Sequence, residues 1–215
     1  MPCSCCEITD SAFSEKEAKS QLKDYRKKGP ARQTRLILDA IRSLKLKNAD
    51  LLDIGGGIGA IHHELLEDVA DTATHVDASS AYLKEAKQEA ARLGHRERVT
   101  FIHADFTDVE SDLPKADVVT LDRVVCCYPD FRRLLQAASS HSRRVLALTY
   151  PRETWYLRMA LPLMNFFQRI RKDPFRVFLH PISEMDLLLR KEGFERVSLR
   201  RLFIWEMALY QRVAD

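Results

Sequence analysis

The sequence predicts an α/β fold built on a mostly parallel β-sheet with helices on both faces. From Asp50 onward, short apolar runs alternate with longer amphipathic stretches, and such alternation is typical of parallel sheets covered on both sides. A length of 215 residues suits one domain with a substantial core. Because such sheets bind ligands beyond the carboxyl ends of their strands, the residues that end each strand are the first candidates for a site.

The elements of the predicted sheet follow one another in a regular order. Strands are short apolar runs, and helices are longer stretches with apolar residues at helical spacing. They are predicted at 51–54 (strand), 61–69 (helix), 74–76 (strand), 81–93 (helix), 99–103 (strand), 118–121 (strand), 131–139 (helix) and 145–150 (strand). A helix over 183–191 and an antiparallel hairpin of 197–204 with 206–212 are predicted to close the domain.

Three segments lie outside this regular order. Residues 1–13 are expected to form a flexible tail that contains cysteines, followed by a single domain over 14–215. A capping box at Ser14 and a second helical pattern over 31–44 predict an amino-terminal helical cap over residues 14–45. Residues 151–182 contain four prolines among aromatic, Leu and Met residues, and we interpret them as an insertion after the fifth strand that lies over the site.

Composition and charge are those of an ordinary soluble protein, with 46% hydrophobic and 30% charged residues. The net charge of +3 falls short of the concentrated positive patch that nucleic acids need, so no nucleic-acid partner is expected. Two interpretations stay open for the densest basic run, residues 25–35. It is either an ordinary surface segment, or it contacts a phosphate or an acidic substrate. The most apolar segment, 155–167, is interrupted by polar residues, so no membrane span or membrane partner is expected. Without a signal-peptide pattern, a cytoplasmic protein is predicted.

Five cysteines form two clusters, Cys3, Cys5 and Cys6 in the tail and Cys126 with Cys127 in the domain. An odd number without an export signal provides no disulfide framework and predicts reduced thiols. The tail thiols either have no function or capture a soft metal, a metalloid or a sulfur acceptor, although their spacing matches no standard zinc motif. The vicinal pair is expected to be small buried residues beside the site.

A glycine-rich turn is the strongest signal in the sequence. Residues 51–59, Leu-Leu-Asp-Ile-Gly-Gly-Gly-Ile-Gly, predict an apolar strand that leads into the turn and then a helix. Glycines let the backbone approach a ligand, and the start of a helix offers free N–H groups. The pattern Gly55-x-Gly57-x-x-Ala60 also satisfies the dinucleotide fingerprint. Asp53 favours a different ligand, because a carboxylate repels a pyrophosphate but attracts the ammonium group of an amino-acid-like cofactor.

With these residues the sequence resembles the class I S-adenosylmethionine (SAM)-dependent methyltransferases over about residues 30–150. The resemblance implies a Rossmann-like sheet of seven strands with the last antiparallel, and SAM as the cofactor with S-adenosylhomocysteine as the product. It implies that the glycine turn holds the methionine part, that the end of the second strand binds the ribose hydroxyls, and that the end of the third binds adenine. The implied cofactor-binding residues are Asp53, Gly55, Gly57, Gly59, Asp77, Ala78, Asp105, Phe106 and Asp122.

Three carboxylates support this interpretation. Asp53, Asp77 and Asp105 each end a predicted strand and are 24 and 28 residues apart. Each feature also has a purely structural alternative, because a glycine turn is often structural and an aspartate at the end of a strand commonly caps a helix.

Methyl transfer is an in-line displacement on an activated sulfonium, so the protein mainly positions the acceptor and removes at most one proton. No metal is expected. His180, Tyr128 and Asp122 are the catalytic candidates, with His180 as the general base because its reference pKa is ~6.5; a structural role is the alternative. Further candidates for the acceptor site are Arg123, Tyr150 and Trp155, while Tyr25 is expected either to close over the cofactor or to pack.

The predicted function is transfer of a methyl group from SAM to a small, partly apolar molecule, by a monomer or homodimer. Residues 121–129 and the later His-Pro pair look somewhat like magnesium-protoporphyrin O-methyltransferases, a loose match that does not fix the substrate. An NAD-dependent oxidoreductase and a non-catalytic SAM-binding protein stay open as alternatives. The insertion has enough apolar surface to cover an acceptor, although half of it is expected to pack on the core. These residues are Trp155, Tyr156, Met159, Leu161, Leu163, Met164, Phe166, Phe167 and Phe175.

Overall fold

A computed structural model describes residues 14–170 and 176–213 of the chain, and one seven-stranded sheet lies at its centre. The strands are β1 (Ala49–Ile54), β2 (Ala70–Asp77), β3 (Val99–His103), β4 (Ala116–Asp122), β5 (Ser142–Pro151), β6 (Phe194–Arg201) and β7 (Trp205–Arg212). Their order in the sheet is β3-β2-β1-β4-β5-β7-β6. Strands β1 to β5 pair in parallel, whereas β7 is antiparallel to both β5 and β6. The predicted seven-stranded, mostly parallel sheet is therefore confirmed.

Helices cover both faces of this sheet. They are α1 (Glu15–Lys28), α2 (Arg32–Ser43), α3 (Ala60–Leu65), α4 (Ser80–Leu93), α5 (Phe106–Val109), α6 (Phe131–His141), α7 (Trp155–Ile170) and α8 (Ile182–Lys191). Successive strand residues point to opposite faces, so Leu51 and Val118 pack with α2 and α3, while Leu52 and Val119 pack with α6 and α8. These two buried clusters hold the carboxyl ends of the parallel strands at one edge of the molecule.

The cap and the first strands differ from the prediction only in their bounds. Ser14 caps α1 with the predicted capping box, and α2 lies within one residue of the predicted helix at 31–44. Strand β2 begins at Ala70, four residues before the predicted strand, because its exposed residues Asp71 and Thr72 hide the strand pattern. Helix α3 is correspondingly shorter than predicted and ends at Leu65.

Among the described residues of the insertion, Trp155–Ile170 form one 16-residue helix, α7, with Pro162 inside it. The expectation that half of its apolar residues pack against the core is wrong, because within α7 only Leu157 is buried. The reason is that its large side chains project away from the sheet: Trp155, Met159, Leu163, Met164, Phe166 and Phe167 are exposed. Phe175 and the tail with Cys3, Cys5 and Cys6 lie outside the described residues. Among the residues that the structure describes, no helix has the length and apolar character to cross a bilayer.

Candidate functional site

A cavity of about 460 Å³ lies at the carboxyl ends of β1 and β4. Between these neighbouring strands the strand order reverses direction, which is where open α/β sheets bind their ligands. The glycine turn, the end of β4 and the first two helices of the cap all line the cavity. Its volume lies within the roughly 300–1,000 Å³ that is usual for small-molecule sites.

The glycine turn forms one wall of the cavity. Gly55 and Gly57 have φ angles of 61° and 58°, in the left-handed region that a glycine adopts at little cost. Their backbone N–H groups donate to the Val76 carbonyl oxygen (2.7 Å) and to the Asp77 carboxylate (2.8 Å). Gly59 caps the start of α3. The turn is therefore fixed in place by the end of β2.

Asp77 ends β2, as predicted, with a carboxylate that is only 8% exposed. It accepts hydrogen bonds from the backbone N–H groups of Gly57 and Ser79, both at 2.8 Å. Burial raises the pKa of Asp77 to about 6, and these two donors partly oppose the rise. The carbonyl oxygen of the next residue, Ala78, lies 3.1 Å from His103 Nε2. Asp77 is thus a strand-end carboxylate that caps the following turn; it is not among the residues that line the cavity, and its role in binding the cofactor stays a prediction.

Asp105 and Tyr128 are brought together beyond the end of β3. Asp105 caps α5, and its Oδ1 accepts hydrogen bonds from Thr107 and, at 2.8 Å, from the Tyr128 hydroxyl. Phe106 is 1% exposed and packs in the core beside His141. The first turn of α5 directs the ring inward, so a contact of Phe106 with the cofactor, which stays a prediction, would have to involve its backbone. The Tyr128 hydroxyl lies on the Asp105 carboxylate, and Tyr128 is not among the residues that line the cavity.

Asp122, at the end of β4, lines the cavity together with Arg123. One carboxylate oxygen accepts from the Thr34 hydroxyl at 2.6 Å and the other accepts from Thr149. Thr34 belongs to α2, so this bond ties the cap to the floor of the cavity. Arg123 has a φ of 63°, a conformation that is rare for a residue with a side chain, and its N–H donates to the Thr149 hydroxyl at 2.8 Å.

Asp53 borders the cavity, but its side chain is buried under the glycine turn. Its carboxylate accepts from the Thr120 hydroxyl at 2.8 Å and lies 3.3 Å from His62 Nδ1. Burial raises the pKa of Asp53 to about 6, against the lowering effects of His75 and Thr120. Sequence reasoning identified the position of this charge and missed the threonine and the two histidines around it.

His180 does not lie among the residues that line the cavity. Its Nε2 lies 3.1 Å from the Val125 carbonyl oxygen and 2.9 Å from that of Tyr128, and its ring packs 4.7 Å from the Phe131 ring. Burial lowers the pKa of His180. Donation from Nε2 to these carbonyls leaves the lone pair of the ring on Nδ1. The two contacts and the position outside the cavity lining favour a structural role, and the general-base role of His180 stays a prediction.

Two more predicted acceptor residues lie away from the cavity. Tyr150 is buried in the core with its hydroxyl 3.3 Å from Glu206, because it points inward from a central strand. Trp155 is 78% exposed on α7. The vicinal thiols of Cys126 and Cys127 are free and 4.0 Å apart in the turn after β4. Cys126 is buried as predicted, whereas Cys127 is only partly buried, and neither residue lines the cavity.

The cap contributes residues that sequence reasoning left open. Tyr25 lines the cavity, and its hydroxyl donates to Glu64 at 3.2 Å. Lys28, Arg32 and Arg35 also line it, so the basic run at 25–35 borders the cavity. Thr34 was missed, because nothing in a single threonine signals a contact with a strand end 88 residues away.

A family model described as a methyltransferase domain matches residues 51–146, which include the glycine turn and strands β1 to β4. The fold and this match agree. This match and the fold together support a class I SAM-dependent methyltransferase.

Solved methyltransferases share the fold of this chain. Magnesium protoporphyrin IX methyltransferase from Synechocystis, solved with bound S-adenosylhomocysteine, has a TM-score of 0.74 and 17% identity, covering 98% of this chain and 100% of that one. An O-methyltransferase family protein from Burkholderia thailandensis has a TM-score of 0.66 and 15% identity, covering 94% of this chain and 61% of that one. An uncharacterized protein of Escherichia coli, YjhP, is 40% identical over 65 residues, which are 30% of this chain and 26% of that relative.

Proposed function

We propose that this methyltransferase transfers a methyl group from SAM to a small, partly apolar molecule by in-line displacement. One observation carries the proposal: the cavity at the strand-order reversal is bordered by the glycine turn on one side and by Asp122 on the other. This arrangement offers backbone N–H groups and carboxylates along one edge of the sheet. Such groups suit a ligand with both an amino-acid part and hydroxyl groups.

The chain's residues have separate tasks in holding the cofactor. The turn at 55–57 presents its backbone to the methionine part, and the carboxylate of Asp77 accepts the ribose hydroxyls. Asp105, beyond the end of β3, is assigned to the adenine ring of the cofactor. The charge of Asp122 favours the ammonium group, while Lys28 and Arg32 on the cavity wall favour the carboxylate. The cofactor supplies the activated methyl group, and the residues orient it.

The acceptor is proposed to enter beside Asp122 and Arg123. His180 positions the 125–128 turn through its two carbonyl contacts, and we assign it no proton transfer. The exposed apolar side chains of α7, such as Met159 and Leu163, support an acceptor with an apolar part. The O-methyltransferase from Planctomyces limnophilus, with 18% identity and a TM-score of 0.60, was solved with apigenin, an example of such a ligand in another protein.

Isotope-labelled SAM and a small-molecule extract test the proposal. We expect the full chain to produce at least one labelled small molecule, and Asp77→Ala to produce much less of it at limiting SAM. Binding of S-adenosylhomocysteine without a labelled product from any extract would favour the non-catalytic alternative. Binding of NADH in place of S-adenosylhomocysteine would instead favour the oxidoreductase.

A further inference from the structure

Below the glycine turn, buried side chains from three elements converge. They are Asp53 of β1, His62 of α3 and His75 of β2, each 0% exposed. His62 Nδ1 lies 3.3 Å from Asp53 Oδ2 and 3.1 Å from His75 Nδ1. One nitrogen or oxygen from each residue lies within 4.8 Å of the other two. The proposed methyl transfer uses neither histidine.

Hydrogen bonds alone cannot satisfy this cluster. At Nδ1 a neutral His62 carries either one proton or one lone pair, so a full-strength hydrogen bond is available to only one of its two neighbours. The Nε2 atoms of His62 and His75 have no hydrogen-bond partner among the described residues. The polar contacts that orient both rings are therefore those at Nδ1, towards each other and towards Asp53. Leaving buried polar groups partly unpaired is costly, whereas one cation attracts all three lone pairs.

The spacing of these atoms fits a metal ion. With metal–ligand bonds of about 2.0–2.1 Å, tetrahedral geometry separates neighbouring ligand atoms by roughly 3.3 Å. The two separations at His62 Nδ1, 3.1 Å and 3.3 Å, lie close to that value. Two imidazoles and one carboxylate are a common ligand set for zinc, with a fourth position left open.

Gly56 leaves the space beside these atoms free. A Cβ on Gly56 would lie 2.6 Å from Asp53 Oδ2 and 2.7 Å from His75 Nδ1, closer than carbon atoms approach such groups. Unlike its neighbours, Gly56 has no left-handed φ. Its missing side chain is thus explained by this close approach and not by the shape of the backbone.

We propose that Asp53, His62 and His75 form a metal site that binds one Zn²⁺ ion or a similar divalent transition metal. The ion would join β1, α3 and β2 beneath the glycine turn and offset the buried charge of Asp53. Its role in this position is to hold the turn in place. The site reverses the expectation of a metal-free protein and does not depend on the identity of the methyl acceptor.

Zinc binding to the untagged full chain tests the site. Replacing Cys3, Cys5 and Cys6 by serine removes the thiols of the tail, which attract soft metals, while keeping the domain, including Cys126 and Cys127, unchanged. After dialysis against a chelator, we expect one Zn²⁺ per chain, measured by competition with a chromophoric chelator. Co²⁺ in the same protein is expected to give the intense visible absorption of a tetrahedral site. An ion that is lost with the three cysteines would overturn the proposal.

Variants of neighbouring histidines separate this site from surface binding. His62→Gln and His75→Gln are each expected to weaken Zn²⁺ binding by more than about tenfold. A tenfold loss is the lower end of the range for removing a residue that only hydrogen-bonds to a metal ligand, and removing a ligand itself is expected to cost more. His63→Gln is the matched control, because His63 is buried in the same cluster but is not one of the three ligands. Equal losses in all three variants would contradict the site. If the variants fail to fold, zinc stoichiometry and the Co²⁺ spectrum of the serine-substituted protein still decide it.

Discussion

Asp77 links the conformation of the glycine turn to cofactor binding. Its two backbone hydrogen bonds, to Gly57 and Ser79, orient the carboxylate that we assign to the ribose hydroxyls. Asp77→Ala is expected to weaken binding of S-adenosylhomocysteine by about 1–3 kcal/mol, or roughly 5- to 150-fold, the scale of a lost charged hydrogen bond. Isothermal titration calorimetry measures this change. Asp71→Ala, an exposed carboxylate on the same strand, is the control, and unchanged affinity in Asp77→Ala would remove Asp77 from the site.

The buried histidines make the stability of the metal-free protein depend on pH. Burial lowers the pKa of His62 and of His75 to about 3 and that of His63 to about 2. Below about pH 6.5 the unfolded chain therefore binds protons on these residues that the folded chain does not, and stability falls as the pH decreases. Asp53 and Asp77 act in the opposite direction below about pH 6, because burial raises their pKa values. Because three histidines are opposed by only two carboxylates, the net effect is that the folded protein loses stability as the pH decreases.

His63→Leu tests this pH dependence. Both ring nitrogens of His63 lack a hydrogen-bond partner in the described part of the chain, so the change removes one titrating group and no polar contact. Between pH 6 and pH 4 we expect the stability of the variant to fall less steeply than that of the parent, by up to about 1.4 kcal/mol per pH unit. Urea unfolding at several pH values in the presence of a chelator measures both slopes. Parallel slopes would show that His63 does not titrate differently on folding.

Residues at the strand ends were predictable from sequence, and their partners were not. Asp53, Asp77 and Asp122 lie where the motif places them, because a strand followed by a glycine turn or a helix fixes its own end. The sequence did not reveal that the Phe106 ring points into the core, because only the start of α5 decides its direction. Contacts such as Thr34 with Asp122 depend on segments that are distant in sequence, so no local pattern predicts them.

At the scale of elements, Glu89 attaches the cap to the domain. Its side chain is fully buried in α4 and accepts hydrogen bonds from Arg26 of α1 (2.9 Å) and from Arg92 (3.0 Å). Burial would raise the pKa of Glu89, but the two guanidinium groups outweigh it and lower the pKa to about 2. Glu89→Ala is expected to destabilise the docked cap by about 1–3 kcal/mol. Faster hydrogen exchange over residues 15–28 and weaker binding of S-adenosylhomocysteine are the measurements.

An exposed ion pair between the same two helices provides the comparison. Glu15 of α1 pairs with Lys84 of α4, and both side chains are about half exposed. Water already solvates these groups, so Glu15→Ala is expected to destabilise the docked cap much less than Glu89→Ala does. Equal effects of the two variants on exchange in α1 would mean that burial of Glu89 is not what docks the cap.

Helix α7 marks the limit of predicting elements from sequence. The four prolines and mixed apolar residues of 151–182 indicated a break in the regular order of elements, yet Trp155–Ile170 form one helix. Apolar side chains usually predict burial. The sequence pattern of this helix therefore does not reveal that only Leu157 within it is buried. Elements that pack on the sheet, such as α2 and α4, were predicted closely because their spacing reflects one buried face.

For the whole molecule, a ligand that joins the cap to the end of the sheet adds to global stability. At 100 times its Kd, S-adenosylhomocysteine is expected to stabilise the fold by about 2.7 kcal/mol and to raise the Tm by roughly 5–10 °C. NADH at the same concentration is expected to leave the Tm unchanged. Thermal unfolding followed by circular dichroism distinguishes the two, and a larger shift with NADH would argue against the proposed cofactor.

The sheet as a whole was predictable, because regular alternation and a final hairpin leave few arrangements of strands. The switch point between β1 and β4 then fixed the location of the cavity. The helical cap was predicted as an element, but its contribution of Tyr25 and Arg32 to the cavity wall depends on how it docks.

The position of β7 has a consequence for synthesis of the protein. This strand, at 205–212, lies between β5 and β6 and pairs with both, and Ala208, Leu209 and Tyr210 are almost completely buried. A nascent chain that has left the ribosome only as far as Ile204 has two open strand edges, which invite pairing with other chains. Strand β7 closes both edges at once, so the sheet stays incomplete, and most in need of protection by chaperones, until residues 205–212 have been synthesised and have inserted between β5 and β6.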